Sequence, residues 1–172
     1  MSVMRTVVAI VAGALLALGS ASWIAAQPAP PTAIVPGRAV GPFRVGMPVE
    51  EARSMMEQFG RVEPLEAEEA RGFCNPEPNA GVCILDRYRR VGLDTPGLVG
   101  MIVTDDPRFV TEPGGHKAGA PLLDFLRTFG IYTASAGPDP TEVRWDPQGL
   151  VVFVSTNQSG LAAVAIGVFS AR

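Results

Sequence analysis

One pattern of apolar and polar positions occurs twice along the chain. Residues 46–60 read Gly-Met-Pro-Val-Glu-Glu-Ala-Arg-Ser-Met-Met-Glu-Gln-Phe-Gly, and residues 119–130 read Gly-Ala-Pro-Leu-Leu-Asp-Phe-Leu-Arg-Thr-Phe-Gly. Val49, Ala52, Met55, Met56 and Phe59 recur at three-to-four spacing, as do Leu122, Phe125, Leu126 and Phe129, so each run predicts a helix with one buried stripe. Pro48 and Pro121 stand where a first helical residue tolerates a missing N–H. Gly60 and Gly130 stand where a left-handed residue stops a helix. Glu50 and Glu51 fall in the first turn of the first helix, where the helix dipole favours negative charge.

Around these helices the pattern changes to short runs with period two or continuous apolar character. Ile34 to Val45 holds extended pieces cut by Pro36, Gly37, Gly41 and Pro42. Strands are predicted at Val82–Arg90 and Leu98–Thr104, and again at Glu142–Trp145, Leu150–Ser155 and Leu161–Phe169. The last three are separated by the turns Asp146-Pro147-Gln148-Gly149 and Asn157-Gln158-Ser159-Gly160, short enough to force antiparallel neighbours. The final two runs are nearly all apolar or small and are expected at the centre of a sheet with a helix on one face. Glu66, Glu68 and Glu69 read as a solvated polar stretch. The predicted fold is α+β: two tandem copies of a helix packed on an antiparallel β-sheet (βαβββ-like units), at residues 38–111 and 112–172.

The N-terminus has a different character. Arg5 precedes an uncharged run from Thr6 through Ala26, and Ile24-Ala25-Ala26 before Gln27 fits a processing site, so residues 1–26 read as a signal peptide. The alternative is an uncleaved anchor, since the run approaches the ~20 residues that span a bilayer; Gly13, Gly19, Ser20 and Ser22 weaken its second half. Residues 27–37 then form a Pro-rich leader. These features predict an exported protein, periplasmic or extracellular, with no stable membrane insertion once the signal is removed. Removing Arg5 leaves 13 basic against 17 acidic residues, a net charge of −4. A mildly acidic, unclustered surface argues against nucleic acid as a partner.

Cys74 and Cys83 bracket a turn-rich stretch, Asn-Pro-Glu-Pro-Asn-Ala-Gly-Val. Two cysteines around such a loop in an oxidising compartment predict a disulfide. A structural zinc site wants four ligands, and redox pairs use Cys-x-x-Cys spacing.

Candidate chemistry is sparse. His116, the only histidine, follows Gly114-Gly115, and reads either as a general base or as an exposed loop residue. Asp105-Asp106-Pro107 reads as turn chemistry rather than as a calcium site, which takes 6–8 oxygen ligands. No nucleophile-elbow, zinc-protease, phosphate-loop or dinucleotide motif is present, and no cofactor or metal is expected. Asp86 and Tyr88 alternate with Arg87 and Arg89, which places both arginines on one strand face, to engage an acidic partner or to protect an edge. Tyr88, Tyr132 and Trp145 are the aromatic candidates for a partner surface, with core packing as the competing role.

The phrase Gly41-Pro42-Phe43-Arg44-Val45-Gly46-Met47-Pro48, followed by Glu51-Ala52 and Phe59-Gly60, resembles the helix opening G-P-x-R-x-G-M-T-x-x-E of many small exported bacterial proteins. These belong to the group around the β-lactamase inhibitor protein and the SmpA/OmlA (BamE-like) outer-membrane lipoproteins. Phe109-x-Thr111 with Gly115 and Gly119 is similar to the phrase that opens the second unit of such tandem proteins. The resemblance spans roughly residues 38–170 and implies a doubled helix-on-sheet unit that works by binding. The chain departs from the group in having no lipid-anchor cysteine and in carrying Ala120 where the first copy has Met47. The expected function is therefore a non-catalytic binding module for a protein partner, with a small exported hydrolase or a ligand binder using the cleft between units as alternatives.

Overall fold

Both helices form, α1 at Val49–Glu57 and α2 at Leu122–Phe129, in a computed structural model that describes residues 32–75, 81–135, 141–157 and 160–171. The signal-peptide span 1–26 lies outside the described residues. Ala52 and Met56 of α1 and Leu122 and Phe125 of α2 are buried, as the apolar spacing requires. Phe59 is not: α1 ends at Glu57, before the turn that would carry Phe59 inward, and it stays 50% exposed. Pro48 and Pro121 occupy the cap position rather than the first helical one, with ψ of 135° and 139°. Gly130 caps α2 at φ 79°, whereas Gly60 lies beyond the end of α1.

The extended ψ of each proline lets the preceding segment run as a strand edge. In the first case, the Gly46 N–H donates to the Val99 carbonyl (2.6 Å) and the Val99 N–H to Met47 (2.8 Å). In the second, the Gly119 N–H donates to the Ala163 carbonyl (2.7 Å) and the Ala163 N–H to Ala120 (3.0 Å).

The strands are β1 (Ala33–Val35), β2 (Ala39–Val40), β3 (Phe43–Arg44), β4 (Glu63–Glu66), β5 (Ala70–Asn75), β6 (Val82–Tyr88), β7 (Leu93–Asp94), β8 (Met101–Thr104), β9 (Val110–Thr111), β10 (Thr133–Ser135), β11 (Thr141–Trp145), β12 (Leu150–Asn157) and β13 (Gly160–Phe169). One antiparallel sheet runs β10-β11-β12-β13-β8-β6-β5-β4, with β7 paired to the far end of β6. The strands after α1 and those after α2 thus share one sheet, joined where β8 meets β13. A smaller sheet, β3-β2-β1-β9, includes a parallel pair between β1 and β9. A paired strand, β1, therefore falls inside the span 27–37 read as a leader. Ile34 is apolar and fully buried, so Ala33–Val35 pairs instead of trailing free.

The polar stretch around Glu66 is also strand: β4 and β5 form a hairpin in which Glu66, Glu68 and Glu69 point to solvent. Cys74 and Cys83 are register partners across β5 and β6 and are joined by the disulfide.

Alternation along the strands sends two sets of side chains to opposite faces. Phe73, Ile84, Ile102, Val152, Ile166 and Val168 meet the helices and the small sheet in the main core. Leu85, Met101, Val151 and Phe169 form a second cluster on the helix-free face. Full burial of each such side chain is worth about 1.5–3 kcal/mol. At the centre of that face Gly167 stands between Val103 and Val151. A Cβ there would lie 2.7 Å from Met101 Cε and 2.8 Å from Val151 Cγ1. Gly167→Ala is expected to destabilise the fold by about 1–3 kcal/mol through overpacking, read as a lower urea midpoint. An unchanged midpoint would mean that Met101 and Val151 move aside freely.

Candidate functional site

The strand carrying Tyr88 does not keep simple alternation. Arg71 faces Arg87 and Gly72 faces Leu85, so Asp86 is an extra residue, a bulge on β6. Arg71 grips the bulged carboxylate, with Nε 3.0 Å from Oδ1 and Nη2 2.6 Å from Oδ2. The shift turns Tyr88 onto the same face as Leu85, although the two are three residues apart. Arg89 then enters a 3₁₀ turn, Arg89–Val91, and is exposed, while Arg87 stays half-buried in β6. The expected arginine stripe on one strand face is therefore broken where the strand ends, with Arg87 inside β6 and Arg89 in the turn beyond it.

On the helix-free face, Tyr88 reaches across the sheet. Its hydroxyl donates to Glu142 Oε1 on β11, and its ring meets Phe153 of β12 edge-on, with centroids 6.4 Å apart. Arg90 Nη1 approaches the same Glu142 oxygen at 3.4 Å, and its Nε donates to Glu69 at 2.5 Å. β6 and β11 are four positions apart in the sheet. In a flat sheet that spacing is about 19 Å, from 4.7–4.9 Å per strand, so the sheet is rolled and its helix-free face is concave. Met101, Val151 and Phe169 are buried on this face, in a cluster that also takes in Val91 of the 3₁₀ turn and Leu93 of β7.

Glu142 is 3% exposed, and its Oε2 has no hydrogen-bond partner among the described residues. Burial, and then the hydrogen bond to Glu142, push the Tyr88 phenol above its ordinary value of 10.

The other candidates go elsewhere. Trp145 is not a surface residue: it alternates with Val143 onto the helix side and is fully buried. It packs against Phe125 and Phe129, and its Nε1 donates to the Gly130 carbonyl at 3.1 Å. Tyr132 is half-exposed and leans on Trp145, on the side of the sheet away from Tyr88. Tyr88, Arg87, Arg89, Tyr132 and Trp145 therefore do not make one surface. His116 is tied to α2, its Nε2 2.6 Å from Thr128 Oγ1 and its ring 4.9 Å from Phe125. Among the described residues no cluster of His, Cys, Asp and Glu side chains has the makings of a metal site.

The folded phenol holds its proton more tightly than the unfolded one. The stability it contributes is fully present below about pH 10 and is lost as the pH rises above that value. Tyr88→Phe is expected to destabilise the protein at pH 8 by about 1–3 kcal/mol, because Glu142 loses its closest donor. It should also flatten the decline in stability between pH 10 and pH 11, as followed by urea unfolding. Parallel declines for both proteins would contradict the assignment.

No protein-family model matches the chain, and no curated protein matches it in sequence. Among solved structures it is similar to yfeY, an uncharacterised protein from Escherichia coli, with a TM-score of 0.55 and 16% identity. The match covers 78% of this chain and 98% of that one, and at this identity it speaks to the fold alone.

Proposed function

We propose that the protein is an exported, non-catalytic binding module of two tandem helix-on-sheet units that holds a protein partner on the concave face of its sheet. The matching contacts of Gly46-Met47 with Val99 and of Gly119-Ala120 with Ala163 support a duplicated unit. In each copy a helix is followed by four strands of the main sheet, β4-β5-β6-β8 or β10-β11-β12-β13. The disulfide favours an oxidising compartment. With the Arg5-led apolar run it supports export, with Gln27 as the expected mature N-terminus.

The observation that carries the binding role is the composition of the concave face. The uncovered face of an antiparallel sheet is ordinarily polar. Here Leu65, Cys83, Val103 and Phe153 stay half-exposed on it, beside Tyr88. An apolar surface in that position marks an interaction site. Exposed Arg89, just past the end of β6, suits a partner with apolar side chains at its centre and acidic ones at its rim.

The test is crosslinked affinity capture from the source organism's envelope and culture fluid, read by mass spectrometry, with Val103→Glu and Leu65→Glu beside the unaltered protein. One dominant, saturable partner is expected for the unaltered protein. Both variants should reduce its capture by about tenfold or more, the scale of one lost interfacial contact near 1.4 kcal/mol, while melting as the unaltered protein does. Capture unaffected by both changes, or no saturable partner, would refute the proposal.

A further inference from the structure

A cavity of about 370 Å³ opens on the opposite side of the sheet from the concave face. Its walls are Met56 of α1, Phe59 just beyond the end of that helix, Phe43 of β3, Val82 at the start of β6, and Phe109. Phe43 and Phe59 meet edge to face, 6.5 Å between centroids. The size lies at the small end of the range for ligand pockets, and a mostly apolar wall with a few polar groups is their usual composition.

The polar end is an ion pair. The Asp106 side chain is fully buried, and Arg108 closes on it with Nε 2.9 Å and Nη2 2.6 Å from Oδ2. The Arg108 backbone N–H adds a bond of 2.9 Å to Oδ1. Burial alone would push the Asp106 carboxyl up; these bonds and the Arg108 charge outweigh it and hold the group below its ordinary value. A guanidinium carries five N–H donors in a planar fork. Asp106 takes the one on Nε and one on Nη2, so Nη1 and the second N–H of Nη2 have no partner among the described residues. That outer edge belongs to a side chain 67% exposed at the cavity. It matches a carboxylate or sulfonate in bidentate fashion, and Asp106 fixes the plane in which it is offered. Phe59 supplies a second observation: the fold leaves this large apolar side chain half-exposed beside the cavity, where a bound molecule would cover it.

We propose that this cavity binds a compact amphiphile, with one or two rings or a medium-length chain among the phenylalanines and a single anionic head on the outer edge of Arg108. The site shares no residue with the concave face, so it stands whether or not a protein partner docks there.

The probe is anilinonaphthalene sulfonate, titrated into the purified protein and followed by its fluorescence, then displaced by decanoate, decan-1-ol or decyltrimethylammonium. Saturable dye binding at one site is expected. Decanoate should displace the dye at about tenfold lower concentration than the alcohol or the ammonium, on the scale of one charge-assisted contact. Phe59→Ala, at a half-exposed position, should weaken dye binding several-fold without changing the melting temperature. Arg108→Gln alone would leave Asp106 buried and unpaired, so the informative change is Asp106→Asn with Arg108→Gln. That protein should bind decanoate and decan-1-ol alike. Val103→Glu, across the sheet, should leave dye binding as it was.

The proposal is overturned by unsaturable dye binding, by displacement equally good with the ammonium, or by sensitivity to Val103→Glu with indifference to Phe59→Ala. An anion preference that survives the double change overturns the role given to Arg108.

Discussion

The antiparallel pairing of β8 with β13 is the contact on which the rest of the fold depends. Four register pairs, from Met101 opposite Phe169 to Thr104 opposite Ile166, join the strands that follow α1 to those that follow α2. Without them the helices would cover separate four-stranded sheets, each with an additional open edge. With them, side chains from both helices enter one continuous core. The small sheet reinforces the arrangement from above, because β1 at the start of the chain pairs with β9 in the connection between the two halves.

A sheet of this width twists, and here the twist brings distant strands together on the helix-free side. The apolar cluster around Met101 and Val151 becomes a second, smaller core, to which Val91 of the 3₁₀ turn and Leu93 of β7 contribute. The contact that marks this closure is polar: Glu142 sits among apolar neighbours and is held by Tyr88 and Arg90. Losing a partner from such a site leaves a buried charge unanswered, so the contact is costly to break even where forming it gains little. The side chains that stay partly accessible on the concave face, Leu65, Cys83, Val103 and Phe153, are apolar.

Local pattern made the helices, the three C-terminal strands and the disulfide legible, because each is specified by residues close together in sequence. Trp145, Val143 and the run from Leu150 alternate plainly, and the Gly-x-Pro and Phe-Gly phrases bracket each helix. The β4–β5 hairpin was hidden because Glu66, Glu68 and Glu69 interrupt the apolar pattern, although Leu65 of β4 and Phe73 of β5 pack on opposite faces of the sheet. The face that Tyr88 takes was hidden for a different reason. A single bulged residue, Asp86, reverses the phase, and nothing local announces it; only the distant Arg71 that grips it accounts for it. Asp105-Asp106-Pro107 read as an ordinary turn, and the pairing of Asp106 with Arg108 stayed hidden because a sequence does not show which turn closes over a cavity.

The strand that completes the middle of the sheet, β13, follows all the other described strands in sequence. β8 is made early, yet its outer edge has no partner until residues 166–169 arrive. A polypeptide delivered N-terminus first, by a ribosome at about 5–20 residues per second or through a membrane pore, carries that edge open for several seconds. During that interval the first half is an unfinished sheet presenting Met101, Ile102 and Val103, a template for any passing strand. Protection of the nascent chain, whether by a holding chaperone or by speed of delivery, is therefore as much a condition of this architecture as the contacts in its finished core.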